Sequence, residues 1–337
     1  MRRLRLLALA LPAVLLALPG QQPTAQGALP GHQVHKAIDT DFPDPGFVRM
    51  GGRYYVYATG AGFRVASSPN PTRGFVQHGA SMHPRDYPGW FGRGVNGGTR
   101  MWAPHVVRMT SLLGPTTYVM YFSASRKGAH DCLGVATSRE PTRGFRSAAA
   151  PLVCGGANAT VIDPAILRTP RGERWVVYKY RGFRPAVNQI RAIRLRDDGL
   201  AVAPGARAIT LVDGRGDTIE APSLVHRGGR VWLFVSRRNW ANCSYYTQVL
   251  SAPSITERFR TAGPNSGIMA IRTPTGGSFC GPGGAEVIPD VGGHRMAFHV
   301  WRNGDYTSSR RARVVYTVRL LWNDAGPYLE PAKFLVE

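Results

Sequence analysis

Five times along the 337-residue chain, a proline-marked entry leads into a short apolar strand, a polar turn and a second strand rich in aromatics. The most complete copy is Thr218-Ile219-Glu220-Ala221-Pro222-Ser223-Leu224-Val225-His226, followed by Arg227-Gly228-Gly229-Arg230 and then Val231-Trp232-Leu233-Phe234-Val235. A Gly-Gly pair between two apolar runs signals a hairpin, because glycine reaches positive φ without a steric penalty. Pro222 removes a backbone donor and favours an extended chain ahead of it. Other copies open at Asp44-Pro45, Trp102-Ala103-Pro104, Asp163-Pro164 and Gly281-Pro282. From Asp44 to Trp102, Asp163, Glu220 and Pro282 the steps are 58, 61, 57 and 62 residues, a period in the range of propeller blades. A local echo, Pro71-Thr72-Arg73-Gly74-Phe75 and Pro141-Thr142-Arg143-Gly144-Phe145, supports the repeat.

A chain of this length often makes two domains, but a repeated all-β unit fills it as one. The 40 glycines and 26 prolines suit many short strands, and no long 3.6-residue periodicity appears. The expected fold is an all-β, five-bladed β-propeller occupying residues 29–337 as a single domain. Residues 1–28 read as a secretory leader: Arg2, Arg3 and Arg5 precede a short apolar core interrupted by Pro12. That core is shorter than the roughly 18 residues of a spanning helix. Four cysteines, Cys132, Cys154, Cys243 and Cys280, fit two disulfides of an exported chain. Three connectivities are open, and pairing of sequence neighbours is the preferred one. No Cys-x-x-Cys spacing supports a zinc or redox site.

The formal charge is +22, or +19 without the three leader arginines. A cationic surface attracts acidic polymers. These arginines are scattered and accompany no nucleic-acid motif, so neither nucleic acid nor, after leader removal, a membrane is an expected partner.

Against this background acids are scarce, only 20 Asp and Glu in all. Three of them, Asp44, Asp163 and Glu220, nevertheless stand at the entries of three repeats. Propeller symmetry would gather them near the axis, where mutual repulsion drives one towards its protonated form. A protonated acid facing an ionised carboxylate is the equipment of glycosidic-bond hydrolysis. For any one of them a turn role before proline is the simpler account. Three at repeated entries favour a site.

The ordered set Phe42-Pro43-Asp44-Pro45-Gly46-Phe47-Val48, Trp102-Ala103-Pro104, Ile162-Asp163-Pro164-Ala165, Glu220-Ala221-Pro222-Ser223 and Gly281-Pro282-Gly283-Gly284 with Phe298-His299-Val300-Trp301 resembles the blade signatures of glycoside hydrolase family 43. That resemblance implies a five-bladed propeller and an inverting hydrolase of plant-cell-wall arabinan, arabinoxylan or xylan. It implies Asp44 as general base, Glu220 as general acid and Asp163 as the residue that raises the acid's pKa and orients it. No cofactor is required. His299 matches a central histidine that in many members holds a calcium ion or water at the axis. Here Gly283, Gly284 and Ala285 stand where some members carry a second histidine. Family 32-type invertases begin Asn-Asp-Pro, unlike the Pro43-Asp44-Pro45 of this chain.

Sugar rings stack on aromatic faces, and Trp102, Trp90 and Trp240 are the candidate substrate platforms. Tyr55, Trp175 and Trp232 read instead as core between blades. The expected activity is a secreted, monomeric arabinofuranosidase or arabinanase acting on plant polysaccharide or oligosaccharide. A xylan-active member of the family and a propeller that binds carbohydrate without cleaving it are the competing readings. Inversion requires the Asp44 and Glu220 carboxyls to stand roughly 6.5–9.5 Å apart, leaving room for a water.

Overall fold

The computed structural model describes residues 34–110, 115–261 and 280–329; the leader expected over residues 1–28 lies outside them. Five antiparallel sheets follow one another, and each is a blade. Blade I is Gly46–Met50, Arg53–Tyr57, Arg64–Ser68 and Val76–Ala80. Blade II runs Met101–Met109, Thr117–Ala124 and Cys132–Ser138, its last strand pairing with both Val153–Cys154 and Arg146–Ser147. Blade III is Ala159–Arg168, Arg174–Phe183, Ala186–Leu195 and Ile209–Asp213, and blade IV is Ile219–Arg227, Arg230–Arg237, Tyr246–Ala252 and Arg260–Thr261. Blade V holds Cys280–Asp290, Gly293–Trp301 and Arg313–Asn323, with Gly326–Tyr328 paired to the last. Its outermost strand, His35–Ile38, comes from the beginning of the chain. First strands touch in cyclic order, and Cys280–Asp290 of blade V returns to Gly46–Met50 of blade I. The expected five-bladed propeller is therefore the fold.

Its hairpins follow the local chemistry. Gly228 and Gly229 adopt φ of 59° and 69°, and Gly51 and Gly52 adopt 57° and 80°, the left-handed pair that matches strand twist. The Pro-Thr-Arg-Gly-Phe echo is one turn built twice. The hydroxyls of Ser68 and Ser138 donate to the carbonyls of Arg73 and Arg143, and both accept an N–H two residues on, from Asn70 and Glu140. Both disulfides are those of the preferred pairing, Cys132–Cys154 and Cys243–Cys280.

Alternating side chains on each pleated blade pack against the next blade, giving five clusters for five interfaces. Tyr57, Phe63, Met120 and Phe122 fill the I–II interface, Tyr121, Leu133, Val176 and Tyr178 the II–III interface. Val177, Leu233 and Val235 lie between III and IV, Phe234, Met296 and Phe298 between IV and V, and Phe42, Phe47 and Val315 where V meets I. Tyr55, Trp175 and Trp232 belong to these layers, as expected. Truncating a fully buried ring such as Phe122 costs about 3–5 kcal/mol through lost burial and the cavity left behind.

At the entry to every blade the first strand carries an irregularity next to proline. The residues ahead of Pro45, Pro104, Pro164, Pro222 and Pro282 are Asp44, Ala103, Asp163, Ala221 and Gly281, with φ of 52°, 48°, 58°, 48° and 66°. Four of the five are not glycine, and a left-handed backbone costs such residues on the order of 1 kcal/mol or more. The strand pairing shifts register there, between Trp102 and His105, Ile162 and Ala165, and Glu220 and Ser223; in blade V it shifts twice, between Cys280 and Gly283 and between Gly283 and Glu286, where Gly284 has a φ of 60°. A bulge of this kind re-aims side chains towards the axis. It also refines the repeat. Asp44 and Asp163 occupy the left-handed position itself, whereas Glu220 lies one residue earlier, at the place held by Trp102 in blade II.

Candidate active site

The bulges of blades I to IV, and Gly284 and Ala285 of blade V, open on one cavity of about 810 Å³, within the roughly 300–1,000 Å³ of small-molecule sites. Asp44, Asp163 and Glu220 all line it. Residues 119 and 176 apart from the first carboxylate in sequence thus meet where the repeat put them.

Asp44 keeps 26% of its side chain exposed. Its Oδ1 accepts from Arg313 Nη1 at 3.0 Å and its Oδ2 from the Thr59 hydroxyl at 2.6 Å. Its backbone N–H donates to His299 Nδ1 at 3.1 Å. Burial pushes the Asp44 pKa up, but the Arg313 guanidinium, the His299 ring and the Thr59 hydrogen bond together outweigh it and hold the carboxyl below its ordinary value. Asp44 is accordingly an ionised proton acceptor facing the cavity.

Asp163 is more enclosed. Its N–H donates to the Ser123 hydroxyl at 2.8 Å, and its Oδ2 accepts from the Ala221 N–H at 2.9 Å. Burial first, and then the charge of Glu220, raise the Asp163 pKa to about 7 against the opposing pull of Lys179. Repulsion among the acids was expected to drive one of them towards its protonated form, and Asp163 is raised.

Glu220 is held at both oxygens. Lys179 Nζ stands 2.6 Å from Oε2, and the Tyr245 hydroxyl donates to Oε1 at 2.8 Å. Both partners are buried, and the Tyr245 phenol, raised well above 10 by burial and by the Glu220 charge, stays protonated as a donor. Sequence reasoning missed Lys179, Tyr245 and Arg313. Lys179 did carry a signal, being one of only four lysines and placed in the apolar run Trp175-Val176-Val177-Tyr178.

Two of the expected platforms are in place. Trp102 lines the cavity, with the Arg100 guanidinium 5.9 Å above its ring. Trp240, 48% exposed, also lines it and stacks at 26° on Trp301, with Arg313 5.0 Å over its ring. Trp90 packs on the I–II core; its neighbour Phe91 packs there too and also lines the cavity.

His299, the residue expected to hold a calcium ion or water, lies on the second strand of blade V, with its Nε2 buried and unpartnered among the described residues. Its ring is 1% exposed, and its Nδ1 lone pair is taken by the Asp44 N–H. Burial, with Arg313 nearby and only Asp44 opposing, lowers its pKa to about 3, so the neutral ring carries its proton on Nε2 and presents no second lone pair. Among the described residues no group of three or more His, Cys, Asp or Glu side chains could hold a metal. The glycines seen in place of a second histidine have a steric reason. A Cβ on Gly284, φ 60°, would lie 2.8 Å from the His299 ring, and one on Gly283 2.1 Å from Tyr245. Across the floor, Glu286 Oε2 faces His105 Nδ1 at 3.3 Å while its Oε1 accepts from Ser223, tying blades II, IV and V together.

An arginine-anchored, ionised Asp44, a proton-retaining Asp163 and a doubly held Glu220 on one cavity are what proton transfer to and from a glycosidic bond needs. Known proteins share the sequence pattern and the fold of this chain. The chain is 26% identical over 267 residues to an arabinan endo-1,5-α-L-arabinosidase C of Emericella nidulans, covering 74% of this chain and 72% of that protein. A thermostable family-43 glycoside hydrolase superposes with a TM-score of 0.74 at 21% identity, covering 90% of this chain and 98% of the other. The α-L-arabinanase of Cellvibrio cellulosa complexed with arabinohexaose gives 0.65 at 18% identity, with 86% and 95% covered. A xylan β-1,4-xylosidase of Bacillus halodurans gives 0.69 at 14%, with 88% of this chain and 56% of that one covered. These three solved structures share the fold. The model of the glycosyl hydrolases family 43 matches residues 37–327, nearly all of the chain, and the protein is a glycosidase belonging to that family.

Proposed function

We propose that this glycosidase cleaves α-L-arabinofuranosyl linkages of plant cell-wall arabinan or arabinoxylan with inversion. Asp44 serves as base, Glu220 as acid and Asp163 as the acid's electrostatic partner. The observation that carries the reading is the contrast between carboxyls on one cavity, with Asp44 pushed below its ordinary pKa and Asp163 raised to about 7. In this reading Asp44 takes a proton from water as that water attacks the anomeric carbon, and Arg313 and Thr59 hold the carboxylate still. Glu220 gives a proton to the departing oxygen, and the Asp163–Glu220 pair supplies it. The Trp240 ring offers a sugar its flat face. The arabinan preference is supported by the Emericella nidulans relative, whose name specifies that polymer. Two disulfides and the basic, apolar leader support an exported enzyme.

The deciding experiment is hydrolysis by the purified protein of aryl α-L-arabinofuranoside, aryl β-D-xyloside, arabinan and xylan, with products resolved by size. Preference for the arabinofuranoside and arabinan is expected. Selective cleavage of the xyloside and xylan would overturn the substrate, and binding without cleavage would overturn the catalytic roles.

A further inference from the structure

Each blade's bulge leaves a backbone N–H facing the preceding blade, and four of the five meet a side-chain acceptor there. Thr59 Oγ1 accepts from Ala103 N at 2.9 Å, Ser123 Oγ from Asp163 N at 2.8 Å, and Ser236 Oγ from Gly284 N at 2.9 Å. His299 Nδ1 accepts from Asp44 N at 3.1 Å and closes the ring. The acceptors sit within two residues of the end of the second strand of blades I, II, IV and V. In blade III that position is Lys179. It pairs with Ile162, as Ser123 pairs with Trp102 and Ser236 with Glu220. An ammonium has no lone pair to offer. The Ala221 N–H turns instead to Asp163 Oδ2 at 2.9 Å. The repeat thus loses its own cap at this one boundary, and a buried lysine stands there at a desolvation cost.

Without a capping role, Lys179 contacts Glu220 instead. Lys179 lines the cavity, 7% exposed, with Nζ 2.6 Å from Oε2 while Tyr245 holds Oε1. Both oxygens of the acid are occupied in the free enzyme, yet one of them must carry a proton to the leaving group.

We infer that Lys179 is a positioning residue for the acid: with Tyr245 it clamps Glu220, and release of Oε2 by its ammonium accompanies loading of the proton that Glu220 delivers. The inference rests on the assignment of Glu220 as acid. The charged and titratable groups facing the clamp are Asp163, on the first strand of the same blade, Lys179, Tyr245 and, beyond them, Asp44.

The test is Lys179→Ser, which restores the residue that two other blades use and offers the Ala221 N–H, held in the wild type by Asp163 Oδ2, the acceptor of the repeat, so the propeller should fold. Lys179→Arg is the conservative companion. Each is assayed on a series of aryl α-L-arabinofuranosides of graded leaving-group basicity. Lys179→Ser should lose kcat by about 10–100-fold on the poorest leaving groups, less than the roughly 10²–10⁴-fold of losing acid catalysis outright. It should lose little on the best, and Lys179→Arg should recover part of the loss. An equal loss across the series, or unchanged kinetics with a lowered Tm, would make Lys179 a blade III–IV strut and refute the inference. Wild-type protein that cleaves no aryl glycoside would refute the functional reading itself, and the inference with it.

Discussion

Replacing Asp163 by Asn removes the ionisation of a group that the fold keeps near neutrality, and its consequence for stability is calculable. The folded pKa of about 7 lies some 3 units above the ordinary 3.8. At 1.36 kcal/mol per unit, ionising Asp163 in the folded state therefore costs the protein up to ~4 kcal/mol. Because the folded pKa is raised, the native state binds the proton more tightly than the unfolded chain. The associated stability is complete below pH 3.8 and is lost as the pH climbs through about 7. Asn cannot ionise, and its amide oxygen still accepts from the Ala221 N–H. The stability difference between Asp163→Asn and wild type should therefore be near zero at pH 4, grow through pH 5 and 6, and level off above pH 7 in the variant's favour. Asp290, whose partners are Tyr54 and Arg295, titrates alike in both proteins and cancels in the difference. Denaturant unfolding at pH 4, 5, 6, 7 and 8 reads it directly, and at ~2 °C per kcal/mol the plateau should also show as several degrees in Tm. Activity should move the other way, with a reduced rate and an alkaline limb displaced to lower pH. A difference independent of pH, or an Asp163→Asn protein less stable at pH 8, would refute the placement of the proton.

Glu220→Gln should depress hydrolysis of arabinan by roughly 10²–10⁴-fold and that of an aryl glycoside with a good leaving group much less, measured as kcat on each. Asp44→Asn should be damaged on both substrates alike, since water activation is needed whatever departs; leaving-group dependence here rather than in Glu220→Gln would reverse the two roles. Proton NMR of the first-formed anomer should show inversion, and retention would instead require a carboxyl separation near 5 Å. Trp240→Ala should raise KM about tenfold, the equivalent of ~1.4 kcal/mol of stacking, with kcat little changed.

The strands could be read from the chain because each blade is made by local signals: glycine pairs, proline entries and aromatic second strands. The carboxylates could be read because repetition brings distant residues to one axis. The limits were equally physical. Glu220 looked equivalent to Asp44 and Asp163 because proline follows each within two residues; only the backbone dihedrals separate the left-handed position from the one before it. Tyr245 and Arg313 lie beyond the repeated entry motif, on segments whose approach to the axis depends on how a blade twists. Lys179 was legible in principle: aligning the apolar runs of the second strands puts it beside Thr59, Ser123, Ser236 and His299, where a residue unable to accept a hydrogen bond stands out. Trp90 and Phe91 differ only in which way one loop bends, and composition holds no information on that.

Ring closure has a temporal consequence. Asp44 comes from the first blade to be synthesised, yet Arg313 and His299, which hold it ionised and fixed, belong to the last. His35–Ile38 lies still earlier and adds itself to that same last blade. A nascent chain that has completed four blades therefore has Asp163, Glu220, Lys179 and Tyr245 but a base without its counter-ion or its backbone anchor. Catalytic competence arrives with the final blade, when the two ends of the polypeptide are brought together, and the appearance of hydrolysis during refolding clocks that meeting rather than the formation of any single sheet.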